Sequence, residues 1–141
     1  MIVVNKSKQG KKNRAAGARF ELKVRKSLEK EGWILDKWTN NVDLEKGELI
    51  KAKRKYNPFL KALSIGTGFP DFIVIKRKGK LYEIRGIEVK SNGWLDKEEK
   101  GKCKILLDKK TFNKIFIARK GKKRGEIVYD DFEKKYDKLQ A

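Results

Sequence analysis

Asp71-Phe72-Ile73-Val74-Ile75-Lys76-Arg77-Lys78-Gly79-Lys80-Leu81-Tyr82-Glu83-Ile84-Arg85-Gly86-Ile87-Glu88-Val89-Lys90 reads as two strands joined by a tight turn. Residues 71–77 alternate and carry β-branched side chains, Lys78-Gly79-Lys80 supplies the turn, and residues 81–90 form the second strand. Gly86, inside that second strand, marks either a bulge or a close backbone approach. Strand side chains alternate faces, so Glu88 and Lys90 point one way while Ile87 and Val89 point into the core. Gly68-Phe69-Pro70 precedes Asp71 and puts an acid at the head of the first strand. With Asp71 on a strand beside Glu88 and Lys90, two carboxylates and one ammonium converge. Hard oxygen ligands of this kind suit Mg²⁺ or Mn²⁺, and the set is a minimal kit for metal-assisted phosphodiester hydrolysis.

Upstream, residues 13–31 follow a helical period, with Ala16, Phe20, Val24 and Leu28 near one face, Glu21 at its border, and Gly32 as the stop. Residues 33–39 read as a strand. Residues 40–68 read as an extended excursion or weak hairpin, then a short turn around 59–63; so long a segment in a compact domain is functional or mobile. Downstream, Asp96 caps a helix running to Lys110, with Cys103, Leu106 and Leu107 on its inner side. A strand at 114–119, a basic turn at 120–124, a strand at 126–129 and a helix at 130–139 complete the chain. Residues 1–4 read as a short strand and 6–14 as a flexible basic arm. The order is that of an α/β fold in a single domain over 1–141, with a basic N-terminal arm (1–14), an extended basic insertion (40–68) and no internal repeat.

The 141 residues carry 38 Lys and Arg against 19 Asp and Glu, a formal net charge of +19. So basic a domain needs an anionic partner, and nucleic acid comes first. A membrane surface is the rival, but no apolar stretch is long enough to span a bilayer and the N-terminus lacks a signal-peptide core. A soluble, intracellular protein of the cytoplasm or nucleoid is the expectation. There is no histidine and one cysteine, Cys103. That excludes Ser-His-Asp and Cys-His triads, HExxH zinc sites, nucleases with a histidine base and any intrachain disulfide. Chemistry must rest on carboxylates, lysines, tyrosines or a bound metal.

Each residue type has a job in such chemistry. Asp71 and Glu88 bind the cation, joined by the backbone carbonyl of Val89. Lys90 orients a water or stabilises the developing phosphorane charge, its protonation state left open by opposing influences. Glu21 approaches the same site directly or through water, or is a helix-surface glutamate paired with Arg25 at i+4. The acid-x-Lys spacing recurs at Glu21-Lys23, Glu98-Lys100 and Glu133-Lys135, so context singles out Glu88-Lys90. The plain alternative makes Glu88 and Lys90 a solvated strand face and Asp71 the start of a strand. Asp96, Glu98 and Glu99 read as a helix start stabilised by the dipole rather than as a second metal site.

Several basic elements suit phosphate. Lys51, Lys53, Arg54 and Lys55 stand beside Tyr56 and Phe59, a mixture that grips phosphates and stacks a base, or else is a solvated loop. Lys11, Lys12 and Arg14 offer a second phosphate-binding arm. Residues 120–124 contact a duplex flank or form only a hairpin turn. Trp38 and Trp94 face DNA or pack in the core.

Gly68-Phe69-Pro70-Asp71, then Ile87-Glu88-Val89-Lys90-Ser91, preceded by a helix with Gly17-Ala18-Arg19-Phe20-Glu21, resembles the PD-(D/E)xK nuclease superfamily. Within it the chain looks most like the archaeal Holliday-junction resolvases, with the likeness running from Gly17 to Arg119 and departing from it in the length of 40–68. The resemblance implies a restriction-endonuclease-like core: a mixed central sheet flanked by helices. It also implies Glu21, Asp71, Glu88 and Lys90 as the four active-site residues, Mg²⁺ dependence and often a homodimer. The expected activity is endonucleolytic hydrolysis of structured or branched DNA. The rival expectations are a non-catalytic basic nucleic-acid-binding module on the same scaffold and a ribosome-associated basic protein.

Overall fold

A computed structural model describes residues 6–52, 54–57, 62–65 and 68–136, with side chains for 9–52 and 68–136. The element order is α1 (Lys6–Lys30), β1 (Ile34–Lys37), β2 (Asn40–Asp43), β3 (Glu48–Lys51), β4 (Arg54–Asn57), β5 (Ala62–Ile65), β6 (Phe72–Lys78), β7 (Leu81–Val89), α2 (Lys97–Asp108), β8 (Lys114–Lys120), β9 (Ile127–Asp131) and α3 (Phe132–Tyr136). The protein is α/β, with a mixed five-stranded sheet in the order β1-β6-β7-β8-β9 flanked by helices. β7 and β8 are parallel, and α2 is the crossover between them; every other pairing in this sheet is antiparallel.

Alternation along the strands builds two cores. Phe72, Val74, Ile87 and Ala118 meet Phe20, Val24 and Leu28 of α1 on one face. The four-residue spacing in α1 accounts for that contact: these three side chains fall on one stripe and are buried. On the other face, Ile115 and Ile117 pack against Cys103 and Leu106 of α2 and Phe132 of α3. Both faces of the sheet are therefore covered, so the face carrying Glu88 is not the solvated surface of the plain alternative.

The 71–90 hairpin forms as expected; its register sets Phe72 opposite Ile87 and Lys78 opposite Leu81, so Lys78 belongs to β6 and not to the turn. Its ladder runs unbroken past Gly86, which is a close approach and not a bulge: a Cβ there would lie 2.8 Å from Pro70 Cγ and 3.3 Å from Phe112. Gly32 ends α1 as expected, at φ 92°.

Strand ends shift by a residue or two from the sequence reading, and four other differences stand out. Residues 6–14 are helical, not a flexible arm, because nothing in them breaks the helix that Phe20, Val24 and Leu28 anchor. Residues 40–65 contain two hairpins, β2–β3 and β4–β5, rather than one weak excursion. The first is held down by Val42, buried in the core beneath α2. Asp130 and Asp131 belong to β9, so the last helix starts at Phe132; Asp130 pairs with Arg119 and Lys135, which fixes it at the sheet edge. α2 stops at Asp108. The strand expected at 1–4 and the stretch at 58–61 lie outside the described residues.

Candidate active site

Asp71 sits immediately before β6, and Glu88 is the penultimate residue of β7, so the Phe72–Ile87 pair brings them side by side at one end of the sheet. The Asp71 N–H donates to Glu88 Oε1 at 3.2 Å, and the Val89 N–H donates to Asp71 Oδ2 at 2.8 Å. Glu88 is 5% exposed and is the only buried charged residue among the described ones. Val89 thus enters the site through its N–H; the carbonyl role expected of it belongs with the proposed metal.

The loop ahead of Asp71 is pinned at its neck. The Trp38 N–H donates to the Asp71 carbonyl at 3.1 Å, and the Phe69 N–H to the Asn40 carbonyl at 2.8 Å. Gly68 lies where these strands of chain cross: a Cβ there would sit 2.3 Å from the Trp38 carbonyl oxygen. The two hairpins of 40–65 therefore branch from a tight collar beside Asp71.

Glu21 lines a small cavity of about 60 Å³ with Lys37, Trp38, Gly68 and Asp71. Its expected surface partner is engaged elsewhere, since Arg25 pairs with Glu29 at 2.9 Å. Burial first, and the Asp71 charge second, raise the Glu21 carboxyl above its ordinary range, with Lys37 pulling the other way. Glu88 is raised much further, to about 10, by burial, then by the charge and hydrogen bond of Asp71, then by Glu99. A carboxyl so placed holds a proton at neutral pH because it is buried and, secondarily, because its neighbours are carboxylates.

Lys90 projects from the end of β7 and pairs with Glu99 at 2.7 Å. Burial lowers its ammonium, but the Glu99 hydrogen bond and charge, with Glu88 and Asp96, more than offset this and raise it, so Lys90 is a cation at neutral pH. Glu99 also closes the start of α2. Its Oε1 accepts from the Asp96 N–H at 3.0 Å, while the Glu99 N–H donates to Asp96 Oδ1 at 2.8 Å. This capping box begins the helix and aims Glu99 at Lys90. Reading the helix start as purely local missed that contact. The Asp96-x-x-Glu99 spacing was the available signal for Glu99; nothing in the sequence marked Lys37.

The structure thus draws Glu21, Asp71, Glu88 and Lys90 together at one end of the sheet and adds Glu99 and Lys37. Among the described residues, no group of three or more acidic or sulfur side chains is already disposed to hold a metal ion. The donor set nevertheless fits a hard divalent cation. Glu88 is a buried carboxyl whose closest partners are two other acids, and a cation would relieve that crowding.

Of the other candidates, Trp38 packs edge-on against Phe112 at 5.0 Å and is half-buried against the core. Trp94 is 66% exposed. Its loop is fixed by the Trp94 N–H donating to Asn92 Oδ1 at 3.0 Å and by Lys135, which donates to the Gly93 carbonyl at 2.7 Å and lies over the indole at 4.7 Å. Lys11, Lys12 and Arg14 are exposed on the first turns of α1, and Lys51 is exposed at the end of β3. Lys53 lies outside the described residues, as do the side chains of Arg54, Lys55 and Tyr56. Among the described residues no helix is long and apolar enough to cross a membrane. Comparison with protein-family models, curated proteins and solved structures returns no match for this chain.

Proposed function

We propose that this protein is a divalent-metal-dependent endonuclease that hydrolyses DNA phosphodiester bonds, with structured or branched DNA as its substrate. The observation that carries the reading is the Asp71–Glu88 pair: the buried Glu88 carboxyl accepts from the Asp71 backbone N–H at 3.2 Å, with a lysine two residues on. Asp71, Glu88 and, directly or through water, Glu21 would hold Mg²⁺ or Mn²⁺. Bound there, such an ion would neutralise the acids and draw electron density from a phosphoryl oxygen.

The remaining work falls to the chain. The Val89 N–H fixes the Asp71 carboxylate, and the β7 strand delivers Glu88 from a rigid element. Lys90, kept charged by Glu99, supplies a cation for the negative charge that develops on the phosphoryl oxygens. Glu21, with its raised carboxyl, can take or return a proton at its own oxygen more readily than an exposed glutamate. The net charge of +19 gives the long-range attraction for the polyanion. Symmetrical paired cuts would need two such sites, so a homodimer is the proposed assembly, acting on DNA inside the cell.

Cleavage of plasmid, single-stranded and four-way-junction DNA, with Mg²⁺ or with EDTA, tests the reading. The expected result is metal-dependent cutting that Asp71→Ala and Glu88→Ala abolish while DNA binding persists. Binding without cutting on every substrate would instead support a non-catalytic nucleic-acid-binding module. One observation favours that second reading: Lys90 is held by Glu99 rather than by Asp71 or Glu88.

A further inference from the structure

The β8–β9 turn closes over α1 to leave a cavity of about 400 Å³. Lys23, Lys120, Lys122, Lys123 and Arg124 line it, with Glu126 as its one acid. Among the described residues none of these five cations forms an ion pair. Lys120 lies over the Phe20 ring at 5.6 Å. Five like charges gathered around one concavity repel each other, and an anion seated there removes the repulsion.

Topology sets this cavity beside the acidic site. β7 and β8 are parallel and end together: the Lys90 N–H donates to the Ala118 carbonyl at 2.9 Å, and the Lys120 N–H to the Ser91 carbonyl at 3.2 Å. On the other side, one turn of α1 serves both places, with Phe20 and Lys23 lining the basic cavity and Glu21 the acidic one. A nucleic-acid strand held at Asp71 and Glu88 would carry its neighbouring phosphates past this turn.

We propose that the cavity between α1 and the β8–β9 turn binds a second, internal phosphodiester of the nucleic-acid strand whose scissile linkage lies at Asp71 and Glu88. The proposal rests on the nuclease reading for the position of that strand, but its test does not depend on cleavage. Binding of the full chain to a four-way junction is measured by fluorescence anisotropy in EDTA across a salt series. The Lys122→Ala, Lys123→Ala, Arg124→Ala variant is compared with a control of equal charge loss, Lys80→Ala, Lys104→Ala, Lys109→Ala. The turn variant should lose about tenfold or more in affinity relative to the control. Its slope of log K against log salt should flatten by about 0.9, the value for one duplex phosphate. Equal affinity and slope in the two variants, or no binding by the parent chain, would overturn the proposal. A second arm compares 5′-phosphorylated and 5′-hydroxyl oligonucleotides. Equal affinity supports an internal phosphodiester; a preference for phosphorylated ends that the turn variant loses would show a terminal phosphate instead and overturn the assignment. Turn-dependent binding without metal-dependent cleavage would leave the cavity standing and remove the nuclease reading. Cleavage with turn-independent binding would do the reverse.

Discussion

The backbone N–H of Asp71 donates to the carboxyl of Glu88 at 3.2 Å, across the end of the ladder that joins β6 to β7. Backbone and side chain are thus used together to hold two acids in register, and Glu88 reaches this position well inside the fold. Such a pair is unfavourable unless a proton or a cation lies between the charges.

The first consequence is a pH-dependent stability of the metal-free protein. The Glu88 carboxyl is raised in the folded state, so the fold keeps a proton that the unfolded chain has released. Its contribution is fully present below the ordinary glutamate range and is lost as pH rises toward about 10. Urea denaturation in EDTA should therefore show stability falling from pH 5 to 8, by at most about 1.4 kcal/mol per pH unit from this group. Glu88→Gln should be less sensitive to pH over that window and more stable at pH 8. An identical pH profile for the two proteins would contradict this picture of Glu88.

A second expectation separates the two roles of Glu99. Glu99→Gln can still complete the capping box and should leave stability nearly unchanged, whereas Glu99→Ala should lose about 1 kcal/mol. Both remove the negative charge that raises Lys90, so both should shift the basic limb of the pH–rate profile to lower pH. If Glu99→Gln behaves as wild type in both stability and rate profile, Glu99 serves the helix alone.

Gly68 gives a third. A methyl group there would meet the Trp38 carbonyl at 2.3 Å and the Asn40 carbonyl at 2.7 Å, both backbone atoms that cannot swing aside. Gly68→Ala should destabilise the protein by about 1–3 kcal/mol and displace Asp71, with the loss read in denaturation midpoint and in cleavage rate together. Unchanged midpoints would show that the collar is looser than the geometry indicates.

Trp94 provides a fourth. Trp33 is buried and Trp38 packs on Phe112, so Trp94 should dominate quenching by iodide. Single-stranded or junction DNA should protect it if a base stacks on its open face, and Trp94→Phe should remove most of the quenchable signal. Undiminished iodide quenching in saturating DNA would place the strand elsewhere.

What the sequence made legible was what local chemistry decides. The 71–90 hairpin follows from strict alternation and a Lys-Gly-Lys turn, the burial of α1 from its four-residue spacing, and the start of α2 from Asp96. The two hairpins at 40–65 were obscure because their strands are four residues each, with β3 exposed throughout and Val42 as the one buried anchor among their described side chains. The helical state of 6–14 was hidden by its lysines, which follow the register of a helix fixed further along. At the site, Asp71, Glu88 and Lys90 could be named from position on strands. For Glu99 the Asp96-x-x-Glu99 spacing marked only a helix start, and nothing marked Lys37, because their part in the site depends on which helix and which strand end arrive beside those three.

The most direct measurement is calorimetric titration of Mg²⁺ or Mn²⁺ into the metal-free protein, run in buffers of different ionisation enthalpy beside Asp71→Asn and Glu88→Gln. The expected result is saturable binding by the parent chain with net proton release, since Glu88 must give up its proton to become a ligand, and loss of that binding in both variants. Indistinguishable weak binding by all three proteins, with no proton released, would contradict the claim that these acids form a metal-binding catalytic centre.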